Sequence, residues 1–125
     1  MFHDEGVIVF NGPDEQFISG LAAGAVGGIG GTYAAMPELF IKARELFYEG
    51  KIEAAGAVQN DICRIIYKMC STHGNMYAAI KEIIRIQGGP DVGSVRAPLA
   101  ELIEEDKLIA QECAKMIEEA VKKYC

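Results

Sequence analysis

The stretch from Val7 to Pro37 constrains the fold more than any other part of the chain. It reads VIVFNGPDEQFISGLAAGAVGGIGGTYAAMP. Val7 to Phe10 is a continuous apolar run, the pattern of a strand buried on both faces. Asn11-Gly12-Pro13-Asp14-Glu15 is turn chemistry, because Pro fixes φ and Gly tolerates unusual angles. Pro13 also suits a first helical turn, and Asp14 and Glu15 then lie at the positive end of a helix dipole. Phe17, Ile18, Leu21 and Ala25 recur at helical spacing. Val26 to Tyr33 is apolar and Gly-rich, which predicts a second strand approached closely by another backbone or a ligand. Met36-Pro37-Glu38 opens a further helix. Strand, turn, helix, strand, helix is the order of a parallel α/β unit. Ligands of such units sit beyond the carboxyl ends of the strands. Asn11 to Glu15 occupies that place.

The remainder predicts helices. Leu39, Phe40, Ala43, Leu46 and Phe47 form one apolar stripe, ended by Gly50. Ala55, Val58, Ile62, Ile65, Ile66 and Met69 form another over Ile52 to Met69, broken by Ser71 to Asn75. Met76, Ala79, Ile80, Ile83, Ile84 and Ile86 make a third, halted at Gly88-Gly89-Pro90. Val92 to Pro98 reads as a loop, and Leu99 to Tyr124 as the last helix. The fold class is therefore α/β, mostly helical by content: two β/α units over residues 1–50 and a helical extension over 51–125, one domain overall. Two parallel strands buried on both faces cannot form a sheet alone and need neighbours.

The net charge of −6 and the lack of a basic cluster argue against binding a phosphate backbone. Cys63, Cys70, Cys113 and Cys125 form no C-x-x-C pair, and only two histidines are present, so no metal site and no cofactor are expected. Three of these cysteines fall in helical patterns, where a free thiol behaves as a small apolar group. The N-terminus has no basic-then-apolar leader pattern, and the expected compartment is the cytoplasm. Phe17 to Met36 is an uncharged stretch with Gly-x-x-x-Gly spacings, which suggests a membrane helix, but its Gly and Ala content brings little transfer energy. His3 and His73 lie at segment edges and read as surface or capping groups. Tyr33, Tyr67 and Tyr77 read as core or interface rings with a wet hydroxyl.

Taken together, Asn11-Gly-Pro-Asp-Glu15, Ser19-Gly-Leu-Ala-Ala-Gly-Ala25 and Gly27-Gly-Ile-Gly-Gly-Thr-Tyr33 resemble the N-acetylneuraminate lyase and dihydrodipicolinate synthase family, and the N-acetylneuraminate lyase branch most. Glu49-Gly50-Lys51-Ile52 and Arg96-Ala97-Pro98-Leu99 are similar to later family segments. The resemblance implies a (β/α)₈ barrel with extra C-terminal helices and a lysine that forms a Schiff base with pyruvate. By it, Val7–Phe10 is strand seven and Val26–Tyr33 strand eight. The reactive lysine, on strand six, would then precede residue 1, as would the catalytic tyrosine and the carboxylate-binding turn. A whole barrel needs about 250 residues. The chain is thus expected to be the C-terminal part of such a lyase, inactive alone, with no catalytic residue of its own.

The same resemblance implies substrate-binding roles for Gly12, Asp14 and Glu15 at the polyhydroxyl end of a sialic acid, and for Ile29 and Gly30 beside pyruvate. The residues alone also allow Asp14 and Glu15 to be helix caps. Gly31 stands where sialate lyases carry a serine that helps hold substrate, and Pro13 where bacterial ones often carry an aromatic residue. Other 2-keto-3-deoxy acids, a dihydrodipicolinate synthase-type condensation, or a non-catalytic module that oligomerises or completes a barrel therefore stay open. Exposed strand edges further predict a homo-oligomer, or cover by the N-terminal part of the barrel.

Overall fold

A computed structural model describes residues 6–125; His3 and the first residues of the 1–50 unit lie outside it. Two short parallel strands, β1 (Phe10–Asn11) and β2 (Gly27–Gly28), pair with Phe10 opposite Gly27 and Asn11 opposite Gly28. Backbone bonds extend the pairing at both ends, from Val26 N–H to Val9 C=O and from Ile29 N–H to Asn11 C=O, each 2.9 Å. Between the strands lie a 3-10 turn at Asp14–Gln16 and helix α1 (Phe17–Ala22). After β2 come a second 3-10 turn at Thr32–Ala34 and α2 (Pro37–Tyr48), α3 (Ile52–Met69), α4 (Met76–Ile86) and α5 (Glu104–Tyr124).

Both strands are shorter than the sequence predicts, for one reason. A ladder forms only where two backbones run side by side, and each strand has one neighbour. Val7, Ile8, Val9 and Phe10, a run apolar enough for a strand buried on both faces, are 40–69% exposed, as expected of strands without further neighbours. The expected strand Val26–Tyr33 is likewise cut short. Thr32 curls into a 3-10 turn because its backbone N–H and hydroxyl are taken by the Asp14 carboxylate. Phe17–Met36 is broken into helix, strand and turn, and no helix among the described residues is long and apolar enough to cross a membrane.

The helices enclose one core. Leu39, Phe40 and Ala43 of α2 meet Val58, Ile62, Ile65, Ile66 and Met69 of α3, with Ile80 and Ile83 of α4 and Cys113 and Ile117 of α5. Phe17 and Leu21 of α1 join the same cluster, and Phe17, Tyr33 and Phe40 pack ring to ring at 3.9–5.9 Å. The helix stops are those the glycines predict: Gly50 and Gly88 sit at φ +76° and +83°, where a side chain would be strained.

The last helix begins at Glu104 instead of Leu99. Asp106 is the reason. Fully buried, its carboxylate accepts the backbone N–H groups of Ile103, His73 and Gly74 at 2.8–3.1 Å, and His73 Nδ1 lies 3.1 Å away. It caps α5 from within and ties the α3–α4 turn to it. Burial works against its charge, but these donors outweigh it and hold the group down to about 2. The far end of α5 is fixed to α3 by Tyr124 Oη and Lys123 Nζ, which donate to Asp61 Oδ2 at 2.7 and 2.9 Å. All four cysteines are free thiols, and burial, opposed by the Lys68 charge and aided by that of Glu112, pushes Cys113 up to about 11.

Candidate functional site

The turns that leave β1 and β2 lie side by side at the carboxyl ends of the two strands. Pairing of the strands brings them together, and Asp14 joins them. Asp14 Oδ2 accepts the Thr32 N–H at 2.9 Å and the Thr32 hydroxyl at 2.5 Å, across 18 residues of sequence. Gln59 of α3 supports the first turn from behind, donating to Asp14 C=O at 3.2 Å and accepting Ile18 N–H at 3.1 Å.

The second oxygen, Asp14 Oδ1, is buried and has no hydrogen-bond partner among the described residues. It points at Gly30: a β-carbon there would lie 1.6 Å from it. Gly30 is thus required by space, since any side chain would strike the carboxylate. Gly28 is similar, with the Tyr33 hydroxyl 2.0 Å from its would-be β-carbon. That hydroxyl is also buried and has no partner among the described residues. Burial, then the Asp14 charge, pushes Tyr33 up to about 12, against a smaller opposite effect of Asn11.

The residues singled out from the sequence therefore fall on one small surface, though not all present side chains to it. Gly12 and Glu15 are exposed on the first turn, and Asp14 is 7% exposed beneath it. Ile29 is 69% exposed and Gly30 is open to solvent, while Gly31 is partly covered. What covers Gly31 escaped the sequence reading. The Tyr77 ring, from the first turn of α4, comes so close that a β-carbon on Gly31 would meet its Cε1 at 2.5 Å. Tyr77 is 49% exposed, neither a core ring nor a covered one. Only its wide separation from Gly31 hid it, because no local pattern links the two.

No described lysine has the surroundings of a nucleophilic amine. Lys42, Lys51, Lys68, Lys107, Lys115, Lys122 and Lys123 each pair with a carboxylate, and Lys81 donates to Ser94 C=O. Their partners push Lys51, Lys68, Lys122 and Lys123 upward, opposite to what imine formation requires. Among the described residues no group of three or more His, Cys, Asp or Glu could hold a metal. A cavity of about 860 Å³ lies elsewhere, between the start of α2, the end of α4 and α5. It is a seam between helices, with Ile84, Ile117 and Val121 beside Glu38 and Lys122, and none of Gly12, Asp14, Glu15, Ile29, Gly30 and Gly31 lines it. The paired turns have the better claim to a ligand, because a buried acceptor is left unpaired there.

Two parallel strands with their turns at one end, backed by helices, define a segment of a β/α protein whose ligand site lies at the strand ends. The chain belongs to the dihydrodipicolinate synthetase family, whose model matches residues 2–120. It is 55% identical over 117 residues to the N-acetylneuraminate lyase of Mediterraneibacter gnavus, covering 94% of this chain and 37% of that protein. The sialic acid aldolase of Ruminococcus gnavus, solved as wild type and as a catalytic lysine mutant, superposes with a TM-score of 0.92 at 54% identity, over 94% of this chain and 39% of that one. An N-acetylneuraminate lyase from Fusobacterium nucleatum complexed with pyruvate superposes with a TM-score of 0.80 at 28% identity, over 88% of this chain and 36% of the other. The chain thus spans a little over a third of the length of the relatives it matches.

Proposed function

We propose that this chain supplies the substrate-binding side of a pyruvate-dependent, Schiff-base-forming lyase that cleaves N-acetylneuraminate to pyruvate and N-acetylmannosamine. Residues 1–50 are then the last two strand–helix units of a (β/α)₈ barrel, with β1 in strand seven and β2 in strand eight. Residues 51–125 are its C-terminal helices. The observation that carries this is the pair of joined turns at the strand ends, with Asp14 Oδ1 buried, unpaired and aimed between them. The similarity to N-acetylneuraminate lyases over 94% of the chain supplies the reaction.

In that role Glu15, exposed on the turn, accepts hydrogen bonds from the hydroxyls of the sugar chain. Asp14 offers one oxygen to substrate while the other holds Thr32. Gly12 lets the backbone approach, and Ile29 and Gly30 form an apolar wall beside the pyruvate carbons. In this reading the amine that forms the imine comes from outside these residues, and the ion-paired lysines support it. The four free thiols fit a reducing, cytoplasmic setting.

The test is a chimera in which these 125 residues replace the matching segment of the M. gnavus lyase. Cleavage of N-acetylneuraminate, followed as pyruvate release, is expected. A folded chimera that is trapped by pyruvate and borohydride yet cleaves only another 2-keto-3-deoxy acid, or only condenses, would overturn the substrate. One observation favours a second role for the isolated chain. Val7, Ile8, Val9, Phe10, Val26 and Ile29 leave an apolar strand surface uncovered, the kind of surface that pairs chains. Light scattering is expected to show a homo-oligomer of the isolated chain and loss of that association in the chimera.

A further inference from the structure

We infer that Gln59 and Cys63, one turn apart on α3, are positioning residues: they set the Asp14–Glu15 turn from behind, so the C-terminal helices help to determine how tightly substrate is held. This rests on the lyase role proposed above and adds to it two residues that touch no substrate. Gln59 is a buried polar side chain, 8% exposed. Its Nε2 donates to Asp14 C=O at 3.2 Å, and its Oε1 accepts the Ile18 N–H at 3.1 Å. Nε2 also donates to Cys63 Sγ at 3.5 Å, and the Cys63 thiol donates to Glu15 C=O at 3.6 Å. The carbonyls of two adjacent turn residues are thus both taken by side chains of one helix distant in sequence.

The network has one consistent direction. The Ile18 N–H can only donate and the Asp14 carbonyl can only accept, which fixes the Gln59 amide and turns its second N–H to the thiol. The thiol accepts there and keeps its own proton for Glu15. Gln59 also does for the turn what the turn cannot do for itself. Gln16, the N-cap of α1, makes no side-chain cap bond, and neither does Pro13 ahead of the 3-10 turn. The Ile18 N–H is one of the orphan donors of a helix start, and Gln59 caps it from α3. Asp14 is then held on two sides. Thr32 takes Oδ2 and Gln59 takes the carbonyl, so the direction of Oδ1 is set by both. The packing of α3 needs no polar group here, because Val58, Ile62, Ile65 and Ile66 supply its contact with the core. What the amide and the thiol add is a fixed place for the two carboxylates.

The experiment uses the chimera and steady-state cleavage of N-acetylneuraminate, with pyruvate–borohydride trapping as a second readout. Gln59→Met keeps the length of the side chain and removes the amide. It is expected to raise KM about 3–10-fold, the effect of about one lost hydrogen bond to substrate, with kcat and the pyruvate concentration needed for trapping unchanged. Cys63→Ala is expected to raise KM about 2-fold, since a thiol is a weak donor, and Cys63→Ser, which restores a donor to Glu15 C=O, to return it to the parent value. In the isolated chain, hydrogen exchange at the Ile18 amide is expected to quicken in Gln59→Met and to stay slow in Gln59→Glu, whose carboxylate still accepts. Parent KM in the Gln59→Met chimera would overturn the assignment, and so would Ile18 exchange that Gln59→Met leaves unchanged. Losses shared equally by cleavage and trapping would also overturn it, because they would make Gln59 a residue of the fold alone. Should Gln59→Met not fold, the cysteine pair decides, and equal KM in Cys63→Ala and Cys63→Ser would count against the assignment. A parent chimera that never cleaves N-acetylneuraminate would defeat the lyase role and this assignment with it, whereas a working chimera indifferent to Gln59 would defeat the assignment only.

Discussion

The helical part and the strand part of this molecule solve the same problem differently. In α2–α5 every large apolar stripe meets another, and Leu39, Ile62, Ile65 and Ile83 are at most 1% exposed. In β1 and its approach the equally apolar Val7, Ile8, Val9 and Phe10 remain in solvent. Hydrophobicity is alike in the two regions; what differs is the distance to a partner. The helices bury their faces against one another within this chain, whereas a strand of a parallel sheet needs further strands beside it. The helical body therefore carries its own stability, and the strand ends, which hold the candidate site, depend on what packs against them.

The largest expected effect separates the two directly. Ile65→Ala should destabilise the chain by about 2–5 kcal/mol, as a full cavity in a closed core does, measured by urea unfolding. Next, Thr32→Val removes the hydroxyl that satisfies Asp14 Oδ2 and should cost about 1–3 kcal/mol. An unchanged midpoint would mean that the two turns are not coupled through Asp14. Smaller again, and tied to acid, is the contribution of Asp106. Its folded value of about 2 lies below the ordinary 3.8. Its stabilisation is present above pH 4 and is lost as pH falls from about 4 through 2. Asp106→Asn should flatten that part of the urea-midpoint curve. The smallest effect is the most telling: Ile8→Ser should change the isolated chain by under about 0.5 kcal/mol, yet destabilise the chimera clearly. A large loss in the isolated chain would show that the strands already have a covered face.

Much of this was legible in the sequence where signals were local. The bounds of α3 and α4 follow from apolar periodicity and from the breaks at Ser71–Asn75 and Gly88-Gly89-Pro90. The adjacency of Asn11–Glu15 to the glycine run was also legible, because strand–turn–helix grammar places both at strand ends. The failures share a cause. Strand lengths, the 3-10 turn at Thr32 and the late start of α5 are each set by a partner distant in sequence. Asp106 looked like an ordinary acid in a first helical turn, and nothing local marks it as the most buried carboxylate among the described residues. Tyr77 was invisible for the same reason.

The Asp106 clasp has a consequence for the segment between α4 and α5. One side of that segment is anchored where Gln87 Nε2 donates to Ala35 C=O at 2.9 Å, and the other where Ala100 C=O takes the Asn75 N–H and Asp106 grips Ile103. Residues 88–99 thus form an excursion whose two feet are pinned independently of its span. Doubling the length of such an excursion costs only about 0.6 kcal/mol of closure entropy. Insertions there can remodel the outer rim of the molecule while the helices beneath keep their places.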